Sequence, residues 1–158
     1  MENRKIRDED FDFFKEIIPH SHTWMKEEGL TGEENDEHLR SYLHRYDETG
    51  GEWLIWSGEG QKIGAAYLVY AAPSNQKPWL GTIVIHPEKR KQGFAKKIIE
   101  EISSMVIKNS PVLFSACPAE NTSWIRFLNH NGFEQAGLEN DEKGKEYIKF
   151  VKFLSDYD

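Results

Sequence analysis

Twice within residues 79–117 the hydrophobic pattern changes period, and that alternation constrains the fold more than any other feature of the chain. "WLGTIVIH" (79–86) is a short apolar run rich in β-branched residues that stops before Pro87, which predicts a strand. After Gly93 the spacing becomes 3.6. Phe94, Ile98, Ile99, Ile102, Met105 and Val106 share one face, while Lys96, Lys97, Glu100 and Glu101 lie largely off it. "NSP" (109–111) ends that helix, and "VLFSAC" (112–117) is a second short apolar run fenced by Pro111 and Pro118. Strand, helix and strand in this order predict a parallel β-α-β unit with a right-handed crossover.

The flanks complete an α/β plan. "DEDFDFFKEII" (8–18) sets Phe11, Phe14, Ile17 and Ile18 at helical spacing before Pro19, and "NDEHLRSYLHRY" (35–46) predicts a second helix with acids early and Arg40 and Arg45 late. The segment between them, with Gly29 and Gly32, is expected to be a loop. "EWLIW" (52–56) and "KIGAAYLVYAA" (62–72) are expected strands joined by the turn "SGEGQ", and "PSNQKP" turns into the strand at 79, forming an antiparallel meander. Asn121 is expected to cap a helix over 122–131 with Gly132 just past its end. "GFEQAG" and "KEYIKFVKF" then close the chain as a strand pair around "ENDEKG". The predicted order is β-α-α-β-β-β-α-β-α-β-β on a mixed sheet. With no repeat, low-complexity tract or linker, residues 1–158 are expected to form one domain.

Charge is distributed unevenly. The chain carries a formal −7, yet residues 86–97, "HPEKRKQGFAKK", hold five of its twenty Lys and Arg against the single acid Glu88. Net acidity argues against nucleic acid as a partner, because that binding rests on neutralising phosphates. A local basic cluster at a helix start instead suits a small anion. The first turn of a helix has backbone N–H groups without helical partners and the positive end of the dipole. Gly93 removes side-chain bulk there and Ala95 keeps the turn slim. The dinucleotide GxGxxG and the P-loop GxxxxGK[ST] are both missing. The longest near-apolar run, 63–73, falls short of the roughly 20 residues that span a bilayer, so no membrane is expected. A charged start without an apolar stretch predicts no secretory signal, and one cysteine, Cys117, suits a reducing cytoplasm.

The stretch Arg90-Lys91-Gln92-Gly93-Phe94-Ala95, which follows the strand-ending Ile85-His86-Pro87 after Glu88 and Lys89, resembles the acetyl-CoA motif [QR]-x-x-G-x-[GA] of the GNAT superfamily of N-acetyltransferases. The six-residue pattern alone is unspecific. A second family feature follows at the right distance, an Asn opening a helix that ends in Gly-Phe, here Asn121 and Gly132-Phe133. The predicted element order resembles the family over nearly the whole chain.

The resemblance implies a fold, a cosubstrate and a set of contacts. Acetyl-CoA would place its pyrophosphate on the amides of Arg90, Lys91, Gln92, Gly93, Phe94 and Ala95. Its pantetheine arm would pair with Ile83, Val84 and Ile85 in the manner of an added strand, with Asn121 near that arm and a strand N–H near Ile85 polarising the thioester carbonyl. No metal is implied. The general acid is missing: the family often has a Tyr seven residues after the motif Asn, where this chain has Leu128. A thiol's pKa of about 8.5 lets the thiolate leave without a positioned acid. Neither "WLGTIVIH" nor "VLFSAC" contains a carboxylate, so no base is assigned. His86 and Glu120 are weak candidates, with ordinary readings as a strand-end loop residue and as an acid beside a helix cap. Cys117 is expected to be core. "HSH" (20–22) lacks the partners of a metal site.

In the family the acceptor side is built by the N-terminal helices, their connecting loop and the final strand pair. Trp24, Glu33, Glu34, Asp36, Glu37, Trp53 and Trp56 are therefore weighed as attracting a cationic amine, against a solvated acidic face. The expected activity is transfer of an acetyl group from acetyl-CoA to a primary amine of a small molecule or peptide. The reading also allows a homodimer. The competing readings are a non-catalytic acyl-CoA-binding module and an interaction protein that binds no cofactor.

Overall fold

The computed structural model describes residues 1–45 and 50–155, without the side chains of His22, Thr23, Glu27 and Arg45. It contains β1 (Glu2–Lys5), α1 (Phe11–Ile17), α2 (His22–Glu28), α3 (Asp36–Arg45), β2 (Glu52–Gly58), β3 (Gln61–Val69), β4 (Trp79–Ile85), α4 (Phe94–Val106), β5 (Val112–Pro118), α5 (Thr122–His130), β6 (Phe133–Asn140) and β7 (Glu146–Phe153). The strands order as β1-β2-β3-β4-β5-β7-β6, with β4 and β5 parallel. The mixed sheet and the expected element order are present, with one helix added. α2 occupies part of the segment expected to be a loop, and its last turn closes on Gly29 in the left-handed region at φ 72°. Tyr46, at the end of the expected second helix, lies outside the described residues.

The chain divides into two compact units, Met1–Leu68 with Thr82–Ile98, and Val69–Gly81 with Ile99–Asp158. In the first, Phe11, Phe13, Phe14, Ile17 and Ile18 are all buried, as their helical spacing requires. Phe14 meets Trp53 edge-on at 5.1 Å, and Trp53 lies 5.5 Å from Tyr67. α3 opens as its sequence predicts: Asn35 Oδ1 accepts the N–H of His38 at 2.8 Å. β1 pairs antiparallel with β2, and β2 with β3. Gly64 has a steric reason to lack a side chain: a Cβ there would come within 2.8 Å of the Val84 carbonyl and of Ile85 Cδ1. The close approach of β3 sets where β4 ends.

A buried carboxylate ties this unit together. Asp10 is inaccessible to solvent. It accepts Arg4 Nη1 and Nη2 at 2.7 and 2.9 Å, Lys62 Nζ at 2.9 Å and the Arg7 amide at 2.7 Å. One side chain thus joins β1, the approach to α1, and β3. Burial alone would raise its pKa, but the Arg4 hydrogen bonds, Lys62 and the Arg7 amide hold the carboxyl well below the usual carboxylate range.

In the second unit β4 and β5 pair at Trp79↔Phe114 and Leu80↔Ser115. The Ser115 hydroxyl donates to the Leu80 carbonyl at 2.9 Å, and Trp79 stacks on Phe114 at 5.2 Å. β7 runs antiparallel between β5 and β6. Ile99, Ile102 and Val106 of α4 are buried with Leu113, Leu128, Phe133 and Phe150, which is the apolar face read from the 3.6 spacing. No described helix is long and apolar enough to cross a membrane.

Asp10→Asn should destabilise the protein by about 3 kcal/mol at pH 7, the lower end of the cost of breaking a buried pair, because Arg4 and Lys62 keep some solvent access. The folded pKa lies below the unfolded value of about 3.9. The ionised form therefore contributes its full stability above that value and loses it progressively as pH falls from there through the lower folded value. Urea unfolding at a series of pH values should show the gap between wild type and Asp10→Asn narrowing below about pH 4.

Candidate functional site

After β4 the chain makes one 3₁₀ turn, Pro87–Lys89, capped by His86, whose Nδ1 accepts the Glu88 amide at 3.1 Å. The backbone then enters the left-handed region twice, at Lys91 with φ 62° and at Gly93 with φ 82°. For Gly93 that conformation is free of steric cost, whereas Lys91 holds it at about 1 kcal/mol or more. α4 follows directly. Lys97 N–H reaches the Gly93 carbonyl at 3.2 Å. The N–H groups of Phe94 and Ala95 meet no acceptor among the described residues. A Cβ built on Gly93 would meet nothing within 4 Å. Orphan donors, a helix start and open space above the glycine fit a pyrophosphate.

The cation that opens the motif does something else. Arg90 Nε donates to the Ile85 carbonyl at 3.0 Å, Nη1 to the His20 carbonyl at 2.9 Å, and Nη2 to Ser21 Oγ at 2.8 Å. Its three guanidinium nitrogens are thus directed at protein acceptors, and burial lowers its pKa. The backbone of Arg90 contributes to the loop, and its side chain braces the loop. Gln92 acts likewise, with Nε2 donating to the Glu88 carbonyl at 2.9 Å. Lys91 is exposed beside the cradle.

His86 is committed on both ring nitrogens. Because Nδ1 accepts from Glu88, the hydrogen sits on Nε2 and is donated to Glu16 Oε1 at 2.9 Å. The ring also lies 6.3 Å from Phe13. In this arrangement it has no free lone pair with which to take a proton from an amine, so as a candidate base it gives way to its role as a corner residue. Glu16 is the carboxylate that sequence alone did not place at the end of β4, since it arrives from α1. Ile83 and Ile85 are half-buried and Val84 is buried. All three lie past Trp79 and Leu80, the residues of β4 that register with β5.

In the second unit Asn121 caps α5 as expected: its Oδ1 accepts the Trp124 amide at 3.2 Å and the Ser123 hydroxyl at 3.1 Å. Leu128 is fully buried, so the position of the family's Tyr is core here. Cys117 is buried, with its thiol directed at the Pro118 carbonyl at 3.3 Å. Glu120 is exposed at the turn before the cap. Among the described residues no cluster of His, Cys, Asp and Glu is arranged to hold a metal.

The expected aromatic acceptor set changes character. Trp24, Trp53 and Trp56 are buried, and Trp24 packs edge-on against Tyr42 at 5.9 Å. They are core. Glu34 folds back on its own loop, accepting the Thr31 and Gly32 amides, and the Thr31 amide is the main cause of its lowered pKa. Asp36 pairs with Lys15 Nζ at 3.0 Å.

A model of the acetyltransferase (GNAT) domain matches residues 3–134. The chain is 39% identical over 141 residues to the uncharacterized protein YkzC of Bacillus subtilis (strain 168), spanning 89% of this chain and 96% of that one. Among solved structures it is similar to a spermidine N-acetyltransferase from Vibrio cholerae in complex with CoA and spermine, with a TM-score of 0.74 at 16% identity, covering 99% of this chain and 96% of that one. A ribosomal-protein-alanine N-acetyltransferase from Brucella melitensis matches with a TM-score of 0.67 at 18% identity, over 98% and 100% of the two chains. These two likenesses are of fold.

Substitutions in the loop separate backbone from side-chain effects. Gly93→Glu should fold yet lose CoA binding, because it puts bulk and negative charge in the open cradle. Gly93→Ala should cost about 1 kcal/mol from its positive φ alone, and Lys91→Gly should keep CoA affinity while relieving strain. Calorimetric titration with CoA, beside thermal unfolding, reads all three. Unchanged affinity in folded Gly93→Glu would overturn the cradle.

Proposed function

The chain belongs to the GNAT acetyltransferase family, and on that premise we propose that it transfers an acetyl group from acetyl-CoA to a primary amine of a small molecule or peptide. Bound acetyl-CoA supplies an activated acetyl thioester. The rest is the work of this chain's residues. The amides of Arg90 through Ala95 hold the pyrophosphate, and Ile83, Val84 and Ile85 offer backbone groups to the pantetheine arm. The family resemblance gives Asn121 a place on the same arm. The family match extends across residues of both units, which supports reading residues 1–158 as one functional domain.

The observation that carries the reading is the loop, in which orphan helix-start amides, two left-handed residues and an open Gly93 occur together. The acceptor class is supported by the fold it shares with a spermidine N-acetyltransferase bound to spermine and with a ribosomal-protein-alanine N-acetyltransferase and by the net charge of −7, which favours approach of cations. Proton handling follows from what is missing. β4 carries no carboxylate, His86 is committed to Glu88 and Glu16, and Leu128 cannot donate a proton. The amine should therefore enter as its free base, and the thiolate should leave without a positioned acid.

A second reading, a non-catalytic acyl-CoA-binding module, is favoured by the same committed His86 and buried Leu128. Turnover separates the two. Acetyl-CoA and CoA should raise the melting temperature by several degrees, since about 100 times the dissociation constant adds about 2.7 kcal/mol, and ADP, which has the pyrophosphate but not the pantetheine arm, should raise it less. CoA release with spermine and with an alanyl peptide then tests transfer. With spermine as the acceptor and its free amine as the reactant, kcat/KM should rise with pH toward an amine pKa of about 10. A plateau below about pH 8 would instead reveal a protein base. Binding without CoA release across amines would favour the module.

A further inference from the structure

Arg90 joins parts of the first unit that are seventy residues apart in sequence. Ser21, which receives it, is buried and sits at the junction where the 3₁₀ turn Ile18–His20 becomes α2. The Ser21 hydroxyl uses both of its capacities: it donates to the Ile17 carbonyl at 2.8 Å and accepts Arg90 Nη2 at 2.8 Å. Its amide donates to the Ile18 carbonyl at 3.0 Å, and its carbonyl accepts the Met25 amide at 2.9 Å. Arg90 also holds the His20 carbonyl, and its Nε holds Ile85 at the end of β4. One turn earlier on α1, Glu16 grips His86, whose other nitrogen caps the turn leading into the loop. Two side-chain bridges therefore run in parallel between the α1–α2 junction and the segment 85–90.

We infer that Arg90 and Ser21 are positioning residues, a strut that makes the shape of the anion loop depend on the α1–α2 junction, with the Glu16–His86 pair as its second member. The assignment rests on the cofactor reading of the loop given above, and it changes the part played by the motif's arginine. A guanidinium that held phosphate by charge would leave its donors toward the cradle, whereas this one fills three protein acceptors. Lysine cannot replace it, because an ammonium lacks the planar fork that reaches acceptors from two segments at once. Rigidifying one side of the strut should stiffen the other, so cofactor binding at the loop should also order the junction.

Ser21→Ala, Arg90→Lys and the double variant test this by two independent readouts. The first needs no cofactor: amide exchange over residues 17–25 should speed up in each single variant. The second is the dissociation constant for CoA. Each single variant should weaken binding about tenfold, the loss of roughly one hydrogen bond to a charged group. The double variant should be no weaker than the singles, because each cuts the same strut. CoA should slow exchange over 17–25 in wild type. The inference is overturned if Ser21→Ala binds CoA like wild type, if Arg90→Lys does so because its retained charge suffices, or if the two losses add. A wild type that binds no CoA overturns the cofactor reading and the coupling with it, while unchanged exchange in cofactor-free variants overturns the strut itself.

Discussion

Two backbone N–H groups at the start of α4, those of Phe94 and Ala95, meet no acceptor among the described residues, and the surrounding design follows from the need to keep them so. A helix start buried against protein would have to satisfy them; one left open in water would have no reason for its approach to be strained. Here the approach is strained at Lys91 and relaxed at Gly93, and the space above Gly93 is empty of protein. Such a loop must be held from behind. Arg90 and Gln92 do this, one braced on Ile85, His20 and Ser21, the other on the Glu88 carbonyl. Side chains that look like anion ligands in the sequence are thereby reassigned to scaffolding, which on the proposed reading leaves the anion to the backbone.

How much of this was legible beforehand depends on whether the signal was local. The strand ending at Pro87, the helix after Gly93 and the Asn121 cap all announce themselves within a few residues, and all are present. α2 was not legible. "HTWMKEE" is bounded by Ser21 and Gly29 with only Trp24 and Met25 as apolar anchors, too short a run to show a helical period. Long-range pairings left no trace either. Nothing in the sequence joins Glu16 to His86 or Ser21 to Arg90 across about seventy positions, because a polar contact between distant elements has no periodicity. The tryptophans differ: weighed for an acceptor site, Trp24, Trp53 and Trp56 are buried core, as the packing of Phe14 on Trp53 shows.

The same distinction governs the acidic surplus. A net −7 invites a search for an amine-binding face, yet several of the acids have structural partners. Asp10 balances Arg4 and Lys62, Glu34 closes its own turn, Asp36 meets Lys15 and Glu16 holds His86. Of the run weighed for the acceptor, Glu33, Asp36 and Glu37 are exposed, and Asp36 is paired with Lys15. Net charge therefore describes the field that an approaching cation feels at a distance, and it does not by itself locate where the cation stops.

The distribution of tasks among these residues also bears on the chemistry. A positioned acid–base pair typically contributes 10²–10⁴-fold, and neither member stands in its familiar place: the strand has no carboxylate, the imidazole is held at both nitrogens, and the acid position is a buried leucine. On the proposed reading, what the chain builds is the part that would hold a thioester donor still, through a side-chain-braced loop, a defined strand end and a braced junction. Amine attack on a thioester tolerates that division. Its leaving thiolate is stable near neutral pH, and its nucleophile is already reactive once unprotonated. Orientation can then carry a large share of the barrier reduction, so selection on such a chain would act on the brace behind the loop as strongly as on any proton-transfer group.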